Sequence, residues 1–553
     1  MPSLYVIMQS FLLPRNREVC LTFLEKNIMA SAEDTSETKV RNRNTDRIKE
    51  TYTEQNDGVS NDITNFIEWK RHMEGVKAEI VEDVSNHLRI LLDKAMIESV
   101  QSTRNEDKTE TSVIKKRPHG SAPERRRKTF QHRASLLDDL MEVKHFQTIY
   151  HMFVAAFSVF VIGTVAVDII DQERVDFEFT LLTYAFGQLD IVVWCWICMF
   201  TYTLFVPYKV LIFGGSVYPK SNHKILLSAC AGTFLLVSLT CILCIFPVYM
   251  VKHYQLPPAS SSIVIFEQIR FFMKIYSFLR ETAPAVLQKE KREVQLPQLS
   301  SYLYFLFCPT LIYRDSYPRT PYIRWKYVFK CFAQFLGCVF FNNYVMATMC
   351  IPVFANMSKQ PFSTKTLVVS IFYSALPGML FLLLSFFGLL HCWMNAFAEM
   401  LRFADRMFYK DWWNSTSFSN YYRTWNVVVH DWLFYYVYQE LLWLLNQRFR
   451  SGAMMVVFLI SASVHEYIFT VALGFFYPVM FCLFVIFGGL LNFAINDKRT
   501  SPVYNVMVWT FLFTGQGIQI CLYCQEWYAQ MHCPLTEKTF WGLVTPRSWS
   551  CYL

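Results

Sequence analysis

Charge is scarce in this chain. Asp, Glu, Lys and Arg make up 17% of its 553 residues, against about 25% in an ordinary soluble protein. With 53% hydrophobic and 17% aromatic residues, that shortage excludes an ordinary soluble fold. Catalytic signatures are missing as well. There is no glycine-rich phosphate loop, no G-x-S-x-G and no H-E-x-x-H. Their absence removes a phosphate cradle, a serine on an elbow turn and a zinc-bound water generated in that motif. A Ser–His–Asp triad is assembled in space, so spacing does not exclude it. Three C-x-x-C pairs (Cys195/Cys198, Cys241/Cys244, Cys521/Cys524) lie in hydrophobic helices without a His cluster, which argues against zinc. The first 30 residues give no signal peptide, because the short run Phe11–Leu13 meets Pro14, Arg15 and Arg17 at once. No internal repeat of transporter type stands out.

Long apolar runs are what the chain has instead. They fall at 149–170, 178–213, 225–251, 327–354, 363–393, 424–446, 453–474, 476–495 and 504–524. A crossing needs about 20 residues, so the expectation is an all-α polytopic membrane protein with about nine transmembrane helices. Residues 262–280 break their apolar run with Glu267, Arg270 and Lys274. They read as an interfacial or cytosolic helix.

The net charge of +8 is concentrated in the block Lys115–Lys128, which precedes the first apolar run. It lacks the aromatic interleaving of a base-stacking surface, which argues against nucleic acid. The positive-inside rule puts this flank, and the N-terminus, in the cytosol. An odd number of crossings then puts the C-terminus in the lumen. Residues 1–60 read as a disordered cytosolic N-terminus. Residues 61–100 carry an apolar stripe (Met73, Val76, Ile80, Val84, Leu88, Leu91, Ala95) at helical spacing, the mark of an amphipathic helix suited to self-association. Residues 101–144 read as a basic polar linker, 145–529 as the transmembrane domain and 530–553 as a lumenal tail. Cys533 and Cys551 are the cysteines after the last apolar run. They are either two free thiols or a disulfide, and the disulfide implies an oxidising lumen.

One histidine lies deep in the apolar stretch Ala453–Phe493. Ionisable groups at membrane depth are costly and commonly functional, and His465 sits there beside Glu466. Ser461 and His465 are four apart on one helix, as are Asn426 and His430 on the preceding one, so each pair shares a face. His is the usual general base near neutral pH, and Asn suits the orientation of a hydroxyl or an oxyanion. The residues alone point to a buried acid/base site for a lipid-soluble substrate. The plainer reading of His391 and His430 is a packed residue at a helix end. The sequons at Asn356 and Asn414 adjoin apolar runs and are taken as unused.

FYKDWWN (Phe408–Asn414), SNYYRTWNVVVHDW (Ser419–Trp432), SVHEY (Ser463–Tyr467), YLYFLFCPTLIYRDSYPR (Tyr302–Arg319) and QEWYAQMHCPL (Gln525–Leu535) resemble the sterol O-acyltransferases, acyl-CoA:cholesterol acyltransferases of the membrane-bound O-acyltransferase superfamily. WKRHMEGVKAEI and TFWGLVTPRSWSC resemble the second vertebrate isoform more than the first. The resemblance runs from about Ser135 to the C-terminus. It implies an endoplasmic-reticulum enzyme that moves a long-chain acyl group from acyl-CoA to the 3β-hydroxyl of cholesterol. Acyl-CoA is then a substrate, and no cofactor or metal is implied. The resemblance places the catalytic histidine at His465 and its partner asparagine at Asn426. It sets Trp425, Asn420, Tyr422, Arg423, His430, Tyr438, Arg450 and Ser461 around the acyl-CoA. It associates Phe408, Tyr409, Asp411, Trp412, Trp413 and Asn414 with acyl-CoA binding and integrity. Arg450 stands where the first isoform has Lys, and Ala404 replaces a usual Gly. The resemblance also implies a Cys533–Cys551 disulfide and homodimers that pair into tetramers through the N-terminal helix. Two alternatives stay open: transfer to another lipid alcohol such as diacylglycerol, or a sterol-binding protein without catalysis.

Overall fold

The computed structural model describes residues 127–172, 179–218, 221–287, 297–357, 363–490, 501–534 and 539–551. The expected N-terminal tail, the 61–100 helix and most of the basic linker lie outside the described residues.

Helices dominate the described residues. The first half holds α1 (Lys144–Gln172), α2 (Leu189–Val217), α3 (Lys224–Leu239), α4 (Pro258–Leu287), α5 (Leu299–Phe307) and α6 (Trp325–Val345). The second holds α7 (Thr364–Ser385), α8 (Phe418–Trp425), α9 (Val427–Trp432), α10 (Arg450–Leu473), α11 (Val479–Leu483) and α12 (Pro502–His532). Several run on through a π-helical turn: Thr240–Ile245 after α3, Phe386–Trp393 after α7, Leu433–Tyr438 after α9 and Phe484–Leu490 after α11. Such turns recur at functional sites. Among the described residues there are only two isolated β-bridges, Arg133 with Asp405 and Arg319 with Phe403.

Seven helices among the described residues are long and apolar enough to cross a membrane: Lys144–Val167, Phe179–Val217, Lys224–His253, Trp325–Ala355, Thr364–Met400, Arg450–Leu473 and Pro502–His532. Two of the nine expected runs are not among them. The 424–446 run breaks at Asn426 and carries Asp431 and Glu440. The 476–495 run is described to Leu490, and its apolar helix Val479–Gly489 is shorter than a span.

The 262–280 segment, expected as an interfacial or cytosolic helix, is likewise not among those seven helices. It forms the middle of α4, which packs against α2 and α10. Its Ile265, Phe271, Lys274 and Phe278 are buried. The charges are absorbed locally. Lys274 Nζ donates to the carbonyls of Phe305 (2.6 Å), Leu306 (3.0 Å) and Cys308 (2.8 Å). The three carbonyls cluster at the end of α5, where those of Phe305 and Cys308 also accept the amides of Cys308 and Thr310, so the ammonium acts as a helix cap there. Arg270 pairs with Glu267 at 2.6 Å. The expected disulfide is present, joining Cys533 to Cys551 with their Cα atoms 5.9 Å apart.

The α7–α12 contact depends on two glycines. A Cβ added at Gly517 would lie 2.5 Å from the Ile371 carbonyl oxygen, and one at Gly378 2.9 Å from that of Gln516. Close backbone approach through small residues is how helices associate without a hydrophobic driving force. Gly517→Ala should therefore cost about 1–3 kcal/mol of stability, as overpacking does. Gly214→Ala, which meets nothing within 4 Å, should cost nothing comparable. Thermal unfolding in detergent measures both, and equal midpoints for the two variants would contradict the packing argument.

Candidate active site

His465 lies on the face of α10 that also carries Phe458 and Ser461, at spacings of seven and four. Its Nδ1 is 2.7 Å from the Ser461 carbonyl oxygen. A carbonyl can only accept, so Nδ1 carries the proton and Nε2 keeps the lone pair. Among the described residues no hydrogen bond occupies Nε2. The ring packs on Phe484, with centroids 4.5 Å apart, at the first position of the π-helical turn after α11. The neighbouring Glu466 points elsewhere. Its buried carboxylate accepts from the Phe481 amide (3.1 Å) and the Tyr523 hydroxyl (3.3 Å), tying α10 to α11 and α12. The sequence pairs these two residues; the structure gives them separate work.

Asn426 stands at the break between α8 and α9. It ends one helix and caps the next, its Oδ1 accepting from the Val429 amide at 3.1 Å. Asn is among the best N-caps. With Oδ1 committed, the side chain presents Nδ2, a donor, to whatever lies beside it.

The FYKDWWN loop holds this break in place. The Val427 amide donates to the Phe408 carbonyl (2.9 Å), and the Lys410 amide donates to the Thr424 carbonyl (2.8 Å). These bonds bracket Trp425 and Asn426. Phe408, Tyr409 and Trp412 are buried. Trp412 packs on Trp425 (4.7 Å) and Phe386 (5.1 Å), and Trp425 packs on Phe386 at 5.0 Å. The Trp413 carbonyl accepts from Asn505 Nδ2 (2.8 Å) and Trp509 Nε1 (3.1 Å) of α12. Asp411 and Asn414 are exposed and close the loop through a backbone bond of 3.0 Å.

Tyr422 joins the two halves. One turn before Asn426, its ring meets Phe458 of α10 and Phe484, both at 5.5 Å between centroids. Phe484 is also the ring under His465. The histidine and the asparagine are thus connected through Phe484 and Tyr422, not by a hydrogen bond of their own. Gly488 allows the approach, since a Cβ there would sit 3.0 Å from Phe458.

The remaining expected residues divide. His430 and Tyr438 stack on opposite sides of Phe434 in sequence, at 6.3 and 5.7 Å. Asn420 is half-buried and donates from Nδ2 to Ser415 Oγ at 3.1 Å. Arg423 is exposed on α8 and Arg450 at the first position of α10. No hydrogen bond or ion pair among those described joins Arg450 to the others. Ser461 contributes its carbonyl to His465; no hydroxyl bond to the ring is seen.

His391, whose plainer reading is a packed residue, sits in a polar network whose other members the sequence does not bring together. His391 is buried, with Nδ1 2.8 Å from the Tyr409 hydroxyl and 3.3 Å from Ser135 Oγ, and Asn395 Nδ2 donates to Ser135 Oγ at 3.2 Å. The spacing of His391 and Asn395 shows that they share a helix face; the distant Ser135 has no such signal. This network fixes Tyr409 in the middle of the motif.

Glu466 supplies a stability test. Glu466→Ala leaves the Phe481 amide without its acceptor and should cost about 1–3 kcal/mol. Glu466→Gln keeps an acceptor oxygen and should lose less. Unfolding midpoints in detergent give the ranking, and indistinguishable variants would contradict the tether.

Comparison with known proteins gives concordant results. Residues 179–525 match the MBOAT, membrane-bound O-acyltransferase, family. Human "Sterol O-acyltransferase 2" is 55% identical over 496 residues, spanning 88% of this chain and 93% of that protein. The mouse protein of the same name is 54% identical over 494 residues, with 88% and 93% covered. "Sterol O-acyltransferase 1" of Chlorocebus aethiops is 54% identical over 433 residues, covering 78% and 79%.

Proposed function

Because the chain belongs to the membrane-bound O-acyltransferase family, and is similar to sterol O-acyltransferases over most of its length, we propose that it is an acyl-CoA-dependent sterol O-acyltransferase. It moves a long-chain acyl group from acyl-CoA to the 3β-hydroxyl of cholesterol, giving cholesteryl ester and CoA. The observation that carries the mechanism is the bond from His465 Nδ1 to the Ser461 carbonyl at 2.7 Å, which makes Nε2 the basic nitrogen.

In this reading Nε2 takes the proton of the sterol hydroxyl as its oxygen forms a bond to the thioester carbonyl carbon. The carbon–sulfur bond then breaks, and the proton passes to the departing thiolate. Asn426 Nδ2 donates to the carbonyl oxygen as negative charge gathers there. The thioester is already activated, so no acyl-enzyme is needed. The exposed cations Arg423 and Arg450 and the His430–Phe434–Tyr438 stack lie on the elements flanking Asn426 and His465, and they suit the phosphates and the adenine of CoA. The same reading places the protein in the endoplasmic-reticulum membrane, with its N-terminus cytosolic and its C-terminus lumenal. It works as a homodimer or homotetramer joined through residues 61–100.

The test is CoA release by the purified full-length protein in mixed micelles with oleoyl-CoA and cholesterol. His465→Ala should lower turnover by about 10²–10⁴-fold, the usual worth of a general base, with folding intact. Asn426→Asp keeps the helix cap but removes the donor, and should lose about 10²–10³-fold, as loss of an oxyanion donor does. Wild-type turnover in a folded His465→Ala variant would overturn the assignment. Release dependent on diacylglycerol but not on cholesterol would keep the mechanism and change the acceptor.

A further inference from the structure

Residues 128–135, which precede the first membrane helix, lie extended against the site. Lys128 forms an ion pair with Asp431 of α9, and its ammonium also lies over the Phe130 ring at 5.2 Å. The Phe130 ring meets Tyr317 at 5.1 Å and Phe403 at 6.0 Å. The Gln131 amide donates to Asp405 Oδ2 at 3.2 Å. The Arg133 amide donates to the Ala404 carbonyl (2.9 Å), and its own carbonyl accepts from the Arg406 amide (3.2 Å). Ser135 Oγ is 3.0 Å from the Tyr409 hydroxyl. Residues 131, 133 and 135 thus engage the 404–409 loop in the period of two of an extended chain.

The two ends of this segment hold different parts of one junction. Its N-terminal end is tied to α9, the helix that Asn426 caps. Its C-terminal end is tied to Tyr409, which lies between the two motif residues, Phe408 and Lys410, whose backbone bonds bracket Asn426. Burial pushes the Asp431 carboxyl up, yet the bonds from His430 and Lys128 outweigh it and hold it below the usual range. The Asp431 carboxyl is therefore charged where it meets Lys128. α9 has a second anchor, since Trp432 Nε1 donates to the Met273 carbonyl and to Ser277 Oγ, both at 3.0 Å. Loss of the ion pair should consequently loosen the junction without unfolding the protein.

We propose that residues 128–135 are a positioning strap for the acyl-transfer site, with Lys128 and Asp431 as its latch, setting the direction in which Asn426 presents its donor. The proposal rests on the reading of Asn426 given above. Neither latch residue touches substrate; both act through the junction. Small displacements of a catalytic group are expensive, about 10²-fold for 1 Å, so a partly loosened junction shows in turnover before it shows in folding.

The test uses the full chain in lipid nanodiscs, with Lys128→Ala, Lys128→Asp, Lys128→Arg and the exchange Lys128→Asp with Asp431→Lys. Amide hydrogen exchange is followed over 404–412 and 424–432 beside kcat and KM. Lys128→Ala should speed exchange in both segments and lower kcat by about tenfold, within the cost of misplacement, while KM for acyl-CoA changes less than about twofold. Lys128→Asp should be worse because it faces Asp431. Lys128→Arg and the charge exchange should restore both readouts. Unchanged exchange in Lys128→Asp would overturn the latch, whichever acceptor the enzyme uses. Faster exchange with wild-type kcat, or failure of both the arginine and the exchanged variant to restore kcat, would overturn the positioning role. An acceptor other than sterol would overturn the substrate reading alone, because the exchange data do not depend on it.

Discussion

A polar group on a membrane-spanning helix has no bulk water to satisfy it, so it has to bond within the protein or lie at a site that admits a ligand. The bond from His465 Nδ1 to the Ser461 carbonyl is the expression of that constraint on which the site depends. It removes one ring nitrogen from chemistry and sets the other in a defined state. The same rule governs Lys274, Glu466 and His391. Lys274 is used up by three carbonyls, and Glu466 by an amide and a phenol. His391 is bonded to Tyr409 and Ser135. Among these groups His465 is the one whose Nδ1 is fixed as a donor to a carbonyl, which leaves Nε2 as a basic nitrogen with no hydrogen bond from a described residue.

The FYKDWWN loop works mainly as scaffolding. Its Phe408, Tyr409 and Trp412 are packed away from solvent, and its backbone holds the residues on either side of Asn426. This division suits catalysis. A donor is worth most when its orientation is settled before reaction, and here the orientation is settled by backbone hydrogen bonds and a tryptophan pair. Trp425, read from the sequence as a neighbour of acyl-CoA, belongs to that packing through Phe386 and Trp412.

Where a signal is local, the sequence shows it. Ser461 and His465, four apart, do meet, although through the serine's carbonyl. The disulfide was legible from two cysteines beyond the last apolar run and from family resemblance. Asn426 and His430 stand one turn apart at the start of a helix, the His430 amide donating to the Asn426 carbonyl at 3.0 Å, but the break that sets Asn426 at that start is not legible. Nothing in the apolar string after it reveals that break, because the bonds that cause it come from Phe408 and Lys410. The burial of α4 is hidden for the same kind of reason. Its charges look solvated until the carbonyls at the end of α5 are seen beside Lys274. π-helical turns and the Ser135–His391 contact depend on tertiary partners, and no periodicity announces them.

The most direct measurement is an experimental structure of the full-length protein with cholesterol and a thioether analogue of acyl-CoA that retains the carbonyl and cannot transfer. The account predicts the sterol oxygen within about 2.6–3.2 Å of His465 Nε2, the reach required of a general base, and Asn426 Nδ2 directed at the carbonyl oxygen. A sterol oxygen bonded instead to another side chain, with His465 Nε2 facing lipid, would contradict it.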